Sequence, residues 1–152
     1  MAIRNIVQMG DPTLRKKSFA VTDFGERTHQ LLDDMKETLA KADGVGLAAP
    51  QVGVLRRIFI VSYENYYFEC INPEIISKSG SQLGAEGCLS VRGKSGTVDR
   101  PLKIKLKAFD RYGKPFTFNA EGFLARVFCH EYDHLDGILY VDRACDIQED
   151  NN

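Results

Sequence analysis

Nothing in this sequence marks it for a membrane, a disulfide framework or a polyanionic partner. No segment approaches the roughly 20 consecutive apolar residues that a membrane-spanning helix needs. The opening MAIRNIVQMGDPTLRKKSFA lacks an apolar run followed by a small-residue cleavage site, so no secretory signal is expected. The four cysteines, at positions 70, 88, 129 and 145, include no C-x-x-C pair. Without a secretion signal they are expected to be reduced, with Cys70 in YYFECI a buried packing residue. Twenty basic residues against 21 acidic ones leave a net charge of -1, which points to neither nucleic acid nor an anionic membrane. There is no internal repeat, no low-complexity tract and no linker long enough to divide 152 residues. One domain is therefore expected over residues 1–145, with the polar run DIQEDNN, residues 146–152, as a frayed tail.

What is present is a balanced composition, 43% hydrophobic and 27% charged, enough for a core without staples. Two segments carry helical periodicity. From about Asp23 to Asp43, Phe24, Leu31, Leu32, Met35 and Leu39 fall near one face, and Gly44 is placed to end the helix in a left-handed cap. The second runs from about Ala120 to Asp136, with Gly137 as its stop. Between them, RIFIVSY and YYFECI flank Glu64-Asn65 as a hairpin. LKIKLKAF alternates at Leu102, Ile104, Leu106 and Ala108, and DRYGKPFTFN turns at Gly113 into a partner strand. Consecutive strands joined by short turns imply antiparallel pairing. The expected fold is α+β: antiparallel sheets packed around a central C-terminal helix, with an amphipathic helix near the N-terminus.

The chemistry concentrates in FCHEYDHLDG, residues 128–137. Phe123, Val127, His130 and His134 share one face of the second helix, so both histidines point toward the core. Two imidazoles a turn apart are hard to bury separately, because each needs a partner, and one metal ion satisfies both. Glu131 lies about 100° around the helix, near enough to reach a water at that metal without being a ligand. Two histidines leave the site incomplete. The long metalloprotease pattern H-E-x-x-H-x-x-G-x-x-H would put the next ligand at position 140, which is Tyr140. A glutamate further along is the other common solution, and only Glu149 remains, in the polar tail. His29, in the first helix, reads as a surface residue, and Cys129 points away from its neighbour His130 and reads as packing. The third ligand is expected upstream, where two stretches fit: GVGLAAPQVG (44–53), with the lone polar Gln51, and AEGCLSV (85–91), with Cys88, whose thiolate suits zinc or ferrous iron.

Together GVGLAAPQ, EGCLS and HEYDHL resemble, in order, the Gly-x-Gly-x-Ala-Ala-x-Gln, Glu-Gly-Cys-x-Ser and His-Glu-x-x-His-Leu motifs of the bacterial peptide deformylase family. The resemblance runs from GDPTLRKKS to ILYVDR. It implies that Cys88, His130 and His134 hold one divalent metal, Fe(II) in the cell, with zinc, nickel or cobalt able to occupy the site, and that water completes it. It also implies hydrolysis of the formyl group from the N-terminal formylmethionine of nascent polypeptides in the bacterial cytoplasm. Glu131 is then the proton carrier, and Gln51 and the Leu89 N–H are the oxyanion donors. Val45 and Gly46 would form an edge for the substrate backbone. Val45, Leu89, Phe123 and Val127 would form the methionine pocket. Asp133 and the Glu86/Arg100 pair occupy supporting positions. Transient contact with the ribosome surface is the remaining partner implied, although with so short a C-terminal extension the ribosome-docking helix of some relatives is not expected. Three positions depart from the family pattern: Arg92 stands where proline is usual, Cys129 where glutamine is usual, and Arg126 where an aliphatic residue beside the methionine pocket is common. Two other functions compete, a related hydrolase acting on another N-acyl group and a module that binds metal and peptide without turnover.

Overall fold

Alternating apolar positions and helical periodicity resolve, in the computed structural model, into two antiparallel sheets and two helices; the structure describes residues 2–149. Helix α1 (Glu26–Ala42) is followed by β1 (Gly46–Ala48), β2 (Ile58–Tyr63), β3 (Tyr66–Ser79), β4 (Gln82–Cys88), β5 (Val91–Arg100), β6 (Lys103–Phe109), β7 (Pro115–Glu121), helix α2 (Phe123–Leu135) and β8 (Asp146–Glu149). One sheet has the order β1-β2-β3-β6-β7 and the other β4-β5-β8. Each of these strand pairings is antiparallel. No helix among the described residues is long and apolar enough to cross a membrane.

Both expected hairpins form. Tyr63 pairs with Tyr66, which leaves Glu64 and Asn65 as a two-residue turn with Glu64 at φ 52°. Phe109 pairs with Pro115 around a turn in which Gly113 has φ 79°. Ile104, Leu106 and Ala108 are buried on one side of β6, while the three lysines between and before them are exposed. In α1, Leu31, Leu32, Met35 and Leu39 are buried, as their spacing requires. Phe24 lies just before the helix and packs edge-on against Phe109 at 6.3 Å. The left-handed cap falls on Asp43 (φ 55°) and not on Gly44. A short polar side chain tolerates that conformation, so the helix closes one residue earlier than a glycine-based reading suggests. Gly137 does take φ 76°, and its N–H and that of Ile138 return to His134 O and Asp133 O. A Cβ there would sit 2.5 Å from Arg15 O, so glycine is required both for the turn and for the packed N-terminal segment.

Residues 146–149 correct the expectation of a tail frayed from residue 146. They form β8, whose register on β5 runs from Thr97↔Asp146 to Lys94↔Glu149. All four side chains are exposed, so composition carries no core signal. Main-chain hydrogen bonding to an open strand edge needs no apolar face. Residues 150–152 lie outside the described residues.

Helix α2 is central. Its one side packs on β1, β2 and β7 of the larger sheet, with Phe128 against Phe59 (6.0 Å) and Phe68 (5.1 Å). Its other side meets β5 of the smaller sheet. From Ala125 to Leu135 only Tyr132 is not buried, and the buried set includes Arg126, His130, Glu131, Asp133 and His134. So many polar groups inside one helix require partners or a ligand, because each unpaired one carries a desolvation penalty.

Candidate active site

The phase of α2 brings His130 and His134 side by side, with ring centroids 5.0 Å apart. Cys88 arrives from the opposite direction, at the end of β4, where Leu89 and Ser90 turn the chain into β5. The Cys88 Sγ and one nitrogen of each histidine all lie within 4.8 Å of one another, and Sγ is 3.4 Å from His134 Nε2. His130 Nδ1 is engaged by Glu86 Oε1 at 2.9 Å, which leaves its Nε2 for the cluster. Burial pushes His134 well below its usual range, which favours the neutral imidazole that a metal donor must be. One sulfur and two imidazoles make a borderline-soft, three-donor set that fits a divalent transition ion with an open position. Cys129 is buried in the core among apolar side chains and is absent from the cluster; burial pushes its thiol up to about 11. Cys70 is fully buried, and His29 hydrogen-bonds the Arg111 carbonyl far along the chain from these residues.

Glu131 stands beside the cluster. It is buried, and its Oε1 has no hydrogen-bond partner among the described residues. Burial pushes its carboxyl up to about 7. Room for the carboxylate comes from Gly46, since a Cβ at that position would collide with Glu131 Oε2. Replacing Gly46 by Ala is expected to lower turnover roughly 10²-fold by displacing that carboxylate, with little change in the urea midpoint. Formate-release kinetics and urea unfolding of the same preparation check this, and a variant with parent-like turnover would show that the close approach is immaterial.

Gln51 sits in a 3-10 turn that follows β1, and its carboxamide is fully oriented. Ala48 N–H donates to Oε1 (2.9 Å), which identifies the other end as the NH2 group. Nε2 then donates to Ser90 Oγ (3.1 Å) and lies 3.6 Å from Cys88 Sγ. An N-terminal strap ties both loops together: Val7 N–H bonds Gln51 O, Met9 N–H bonds Ser90 O, and Gln8 Nε2 donates to Leu89 O at 3.0 Å. The orienting role of Ser90 was not read from EGCLS, although the serine stands in that motif. Gln8 carries no sequence signal for this role, because its partner at the site, Leu89, is 81 residues away.

A cleft of about 370 Å³ opens on these groups, and Val45, Gly46, Gln51, Leu89, Phe123 and Val127 all line it, with His130 and Glu131. Phe123 is 44% exposed and packs against Tyr63 at 4.8 Å, so it forms the rim and not the floor. Behind the three-donor cluster lies a buried ionic network. Arg100 donates to both oxygens of Glu86 (2.9 Å each) and to Asp133 Oδ2 (2.7 Å), and Arg143 also holds Asp133 (2.7 Å). Burial by itself would raise Glu86, but the bonds from Arg100 and His130 hold its carboxyl well below the usual range. Arg126, expected to disturb the methionine pocket, lines the cleft but turns its guanidinium into the β4–β5 hairpin, toward Glu86. Arg92 is exposed at the mouth.

Residues 3–150 match the family model for polypeptide deformylase. The chain belongs to the polypeptide deformylase family. The peptide deformylase of Lachnoclostridium phytofermentans is 53% identical over 147 residues, covering 95% of this chain and 90% of that one. The crystal structure of the Thermotoga maritima peptide deformylase superimposes with a TM-score of 0.93 at 40% identity, over 95% of this chain and 99% of that one. The Legionella pneumophila peptide deformylase gives 0.91 at 44% identity, over 93% and 86%. Peptide deformylases are metal-dependent, which agrees with the donor set of Cys88, His130 and His134. The α+β expectation, with antiparallel sheets and a central C-terminal helix, holds for the family and for this chain.

Proposed function

We propose that this chain hydrolyses the formyl group from the N-terminal formylmethionine of nascent polypeptides, releasing formate and a free amine. The observation that carries the reading is the orphaned, buried carboxylate of Glu131, set beside a three-donor cluster and opening on an apolar cleft. Cys88, His130 and His134 are the residues that would hold the metal. A divalent cation held there supplies Lewis acidity and can lower the pKa of water toward about 7. Glu131, with its carboxyl raised by burial, accepts the proton of the attacking water near neutral pH and returns it to the leaving nitrogen. Gln51 Nε2 and the Leu89 N–H donate to the oxygen that gains negative charge; the bonds from Ala48 and to Ser90 hold the Gln51 amide in place before substrate arrives.

The methionine side chain enters the cleft between Leu89, Val127 and the Phe123 rim. β1 and β4 are sheet edges on the two sides of this cleft, so an extended peptide can pair by its main chain, which favours affinity over sequence preference. We take Fe(II) as the metal in the cell by analogy with the family; zinc, nickel and cobalt suit the same donors. The place of action that follows is the cytoplasm, where formylated chains emerge, with the ribosome surface as a transient contact. The curated relatives do not favour the two competing functions, another N-acyl substrate or binding without turnover. Nickel- or iron-loaded protein prepared without oxygen is expected to release formate from formyl-Met peptides and to leave acetyl-Met peptides intact. Stoichiometric peptide binding without formate would overturn the hydrolase reading, and preferred cleavage of the acetyl peptide would redirect the substrate.

A further inference from the structure

We propose that Arg126 is a positioning residue of the metal centre, a guanidinium clamp that locks the hairpin carrying Cys88 onto the helix carrying His130 and His134. The inference rests on the reading that these three side chains hold a divalent cation. Arg126 lies one helical turn before His130 and is only 5% exposed. Its Nη1 donates to Glu86 Oε2 (2.6 Å) and to Val98 O (3.0 Å), and its Nη2 donates to Gln82 O (3.2 Å). One side chain from α2 therefore bonds both strands of the β4–β5 hairpin, together with the carboxylate that orients His130.

The division of labour at Glu86 makes the clamp specific. Oε1 is shared between Arg100 Nη2 and His130 Nδ1, while Oε2 is shared between Arg100 Nε and Arg126 Nη1. Arg100 belongs to β5, so its bonds to Glu86 stay within the hairpin. It reaches α2 through Asp133, on the C-terminal side of His130. Arg126 makes the matching connection on the N-terminal side. Positions 126, 130 and 133 share a helix face, so the imidazole is bracketed fore and aft by ion pairs to the same hairpin. A carboxylate gripped on both oxygens by the Arg100 fork and again on Oε2 by Arg126 is held against rocking, and the ring that donates to it is held with it.

Packing alone does not account for the residue. Burying a guanidinium is costly unless it is paired, and an aliphatic side chain would line the cleft without that cost. The hairpin also makes room for it, because a Cβ at Gly84 would fall 2.8 Å from Arg126 Nη2 and 3.1 Å from Cζ. Gly84 and Arg126 thus form a pair, and the clamp can be disturbed from either side.

The test reads metal retention, not only activity. Nickel-loaded parent protein, first shown to hold one ion per chain, is mixed with excess chromogenic chelator and the release rate is followed. Arg126→Met keeps the stem that lines the cleft and loses the fork, so its release is expected to be at least ~10-fold faster. Gly84→Val retains the arginine but displaces its guanidinium, and faster release is expected there too. Arg126→Lys has charge without the fork and should fall between Met and the parent. In Arg126→Met, kcat should fall while KM for a short formyl-Met peptide stays within about threefold, since the cleft wall is preserved. Parent-like release from both Arg126→Met and Gly84→Val, whatever their urea midpoints, overturns the clamp, and so does an Arg126→Lys protein as retentive as the parent. If the parent itself fails to take up one ion per chain, the metal reading falls, and the clamp falls with it.

Discussion

Glu131→Gln is expected to lower formate release by ~10³–10⁴-fold, the upper part of the range for a lost proton carrier, while the protein keeps one metal ion per chain. The size of the effect follows from the double duty assigned to this carboxylate, which must first take a proton from water and later deliver it to nitrogen. Glutamine has nearly the same shape and can do neither. The substitution leaves the donors of Cys88, His130 and His134 untouched. It also removes a buried carboxylate whose Oε1 has no partner among the described residues, so the urea midpoint should stay level or rise. Activity falling while stability holds is the signature of a group kept for chemistry at some expense to folding. A variant that retains more than a tenth of parental turnover would remove Glu131 from the reaction. Loss of the metal together with activity would mean that the residue supports the site and does not act in it.

The second large effect is on stability. Arg100→Met should destabilise the protein by about 3–5 kcal/mol, the range measured when one partner of a buried ion pair is removed. Arg100 is 4% exposed and is shared between Glu86 and Asp133, so its loss leaves two buried carboxylates short of a partner. Arg126 still holds Glu86 and Arg143 still holds Asp133, which places the expected value toward the lower end. Because Glu86 Oε1 is also the acceptor for His130 Nδ1, metal should leave this variant more readily as well. Urea unfolding with an unchanged m-value gives the energy directly. A shift below about 1 kcal/mol would mean that the network relaxes or hydrates and that the hairpin is held by its apolar contacts alone.

Much of the centre was legible because its chemistry is local. His130 and His134 lie one helical turn apart, so any helix across that stretch must put both imidazoles on one face with Glu131 beside them. The same rule made α1 and the β6–β7 hairpin legible, since periodicity 3.6 and periodicity 2 write the buried face directly into the order of residues. Strands β4 and β5 escaped that reading. QLGAEGC and VRGKSGTVDR contain four glycines and little alternation, and as strands they are held by pairing with each other and with β8 more than by an apolar face. The frayed-tail expectation failed for the same reason.

What the order of residues determined by itself is the set of reactive groups: two histidines and a glutamate at helical spacing, and, by likeness of motif, a cysteine and a glutamine in glycine-bounded turns. What only the tertiary structure decided is how those groups are held. Gln51 is oriented by Ala48 and Ser90, Glu131 fits because Gly46 has no side chain, and Arg126 turns away from the methionine pocket because Glu86, Val98 and Gln82 receive its guanidinium. Residues that react do so through their own chemistry and are recognisable one at a time. Apart from the local bond between Ala48 and Gln51, residues that position them act through partners distant in the chain, as Ser90 does for Gln51 and Glu86 for Arg126, and those pairings exist only once the tertiary structure has closed. FCHEYDHLDG holds two of the three donors, and the hairpin facing it brings the third, Cys88, and fixes how His130 is presented.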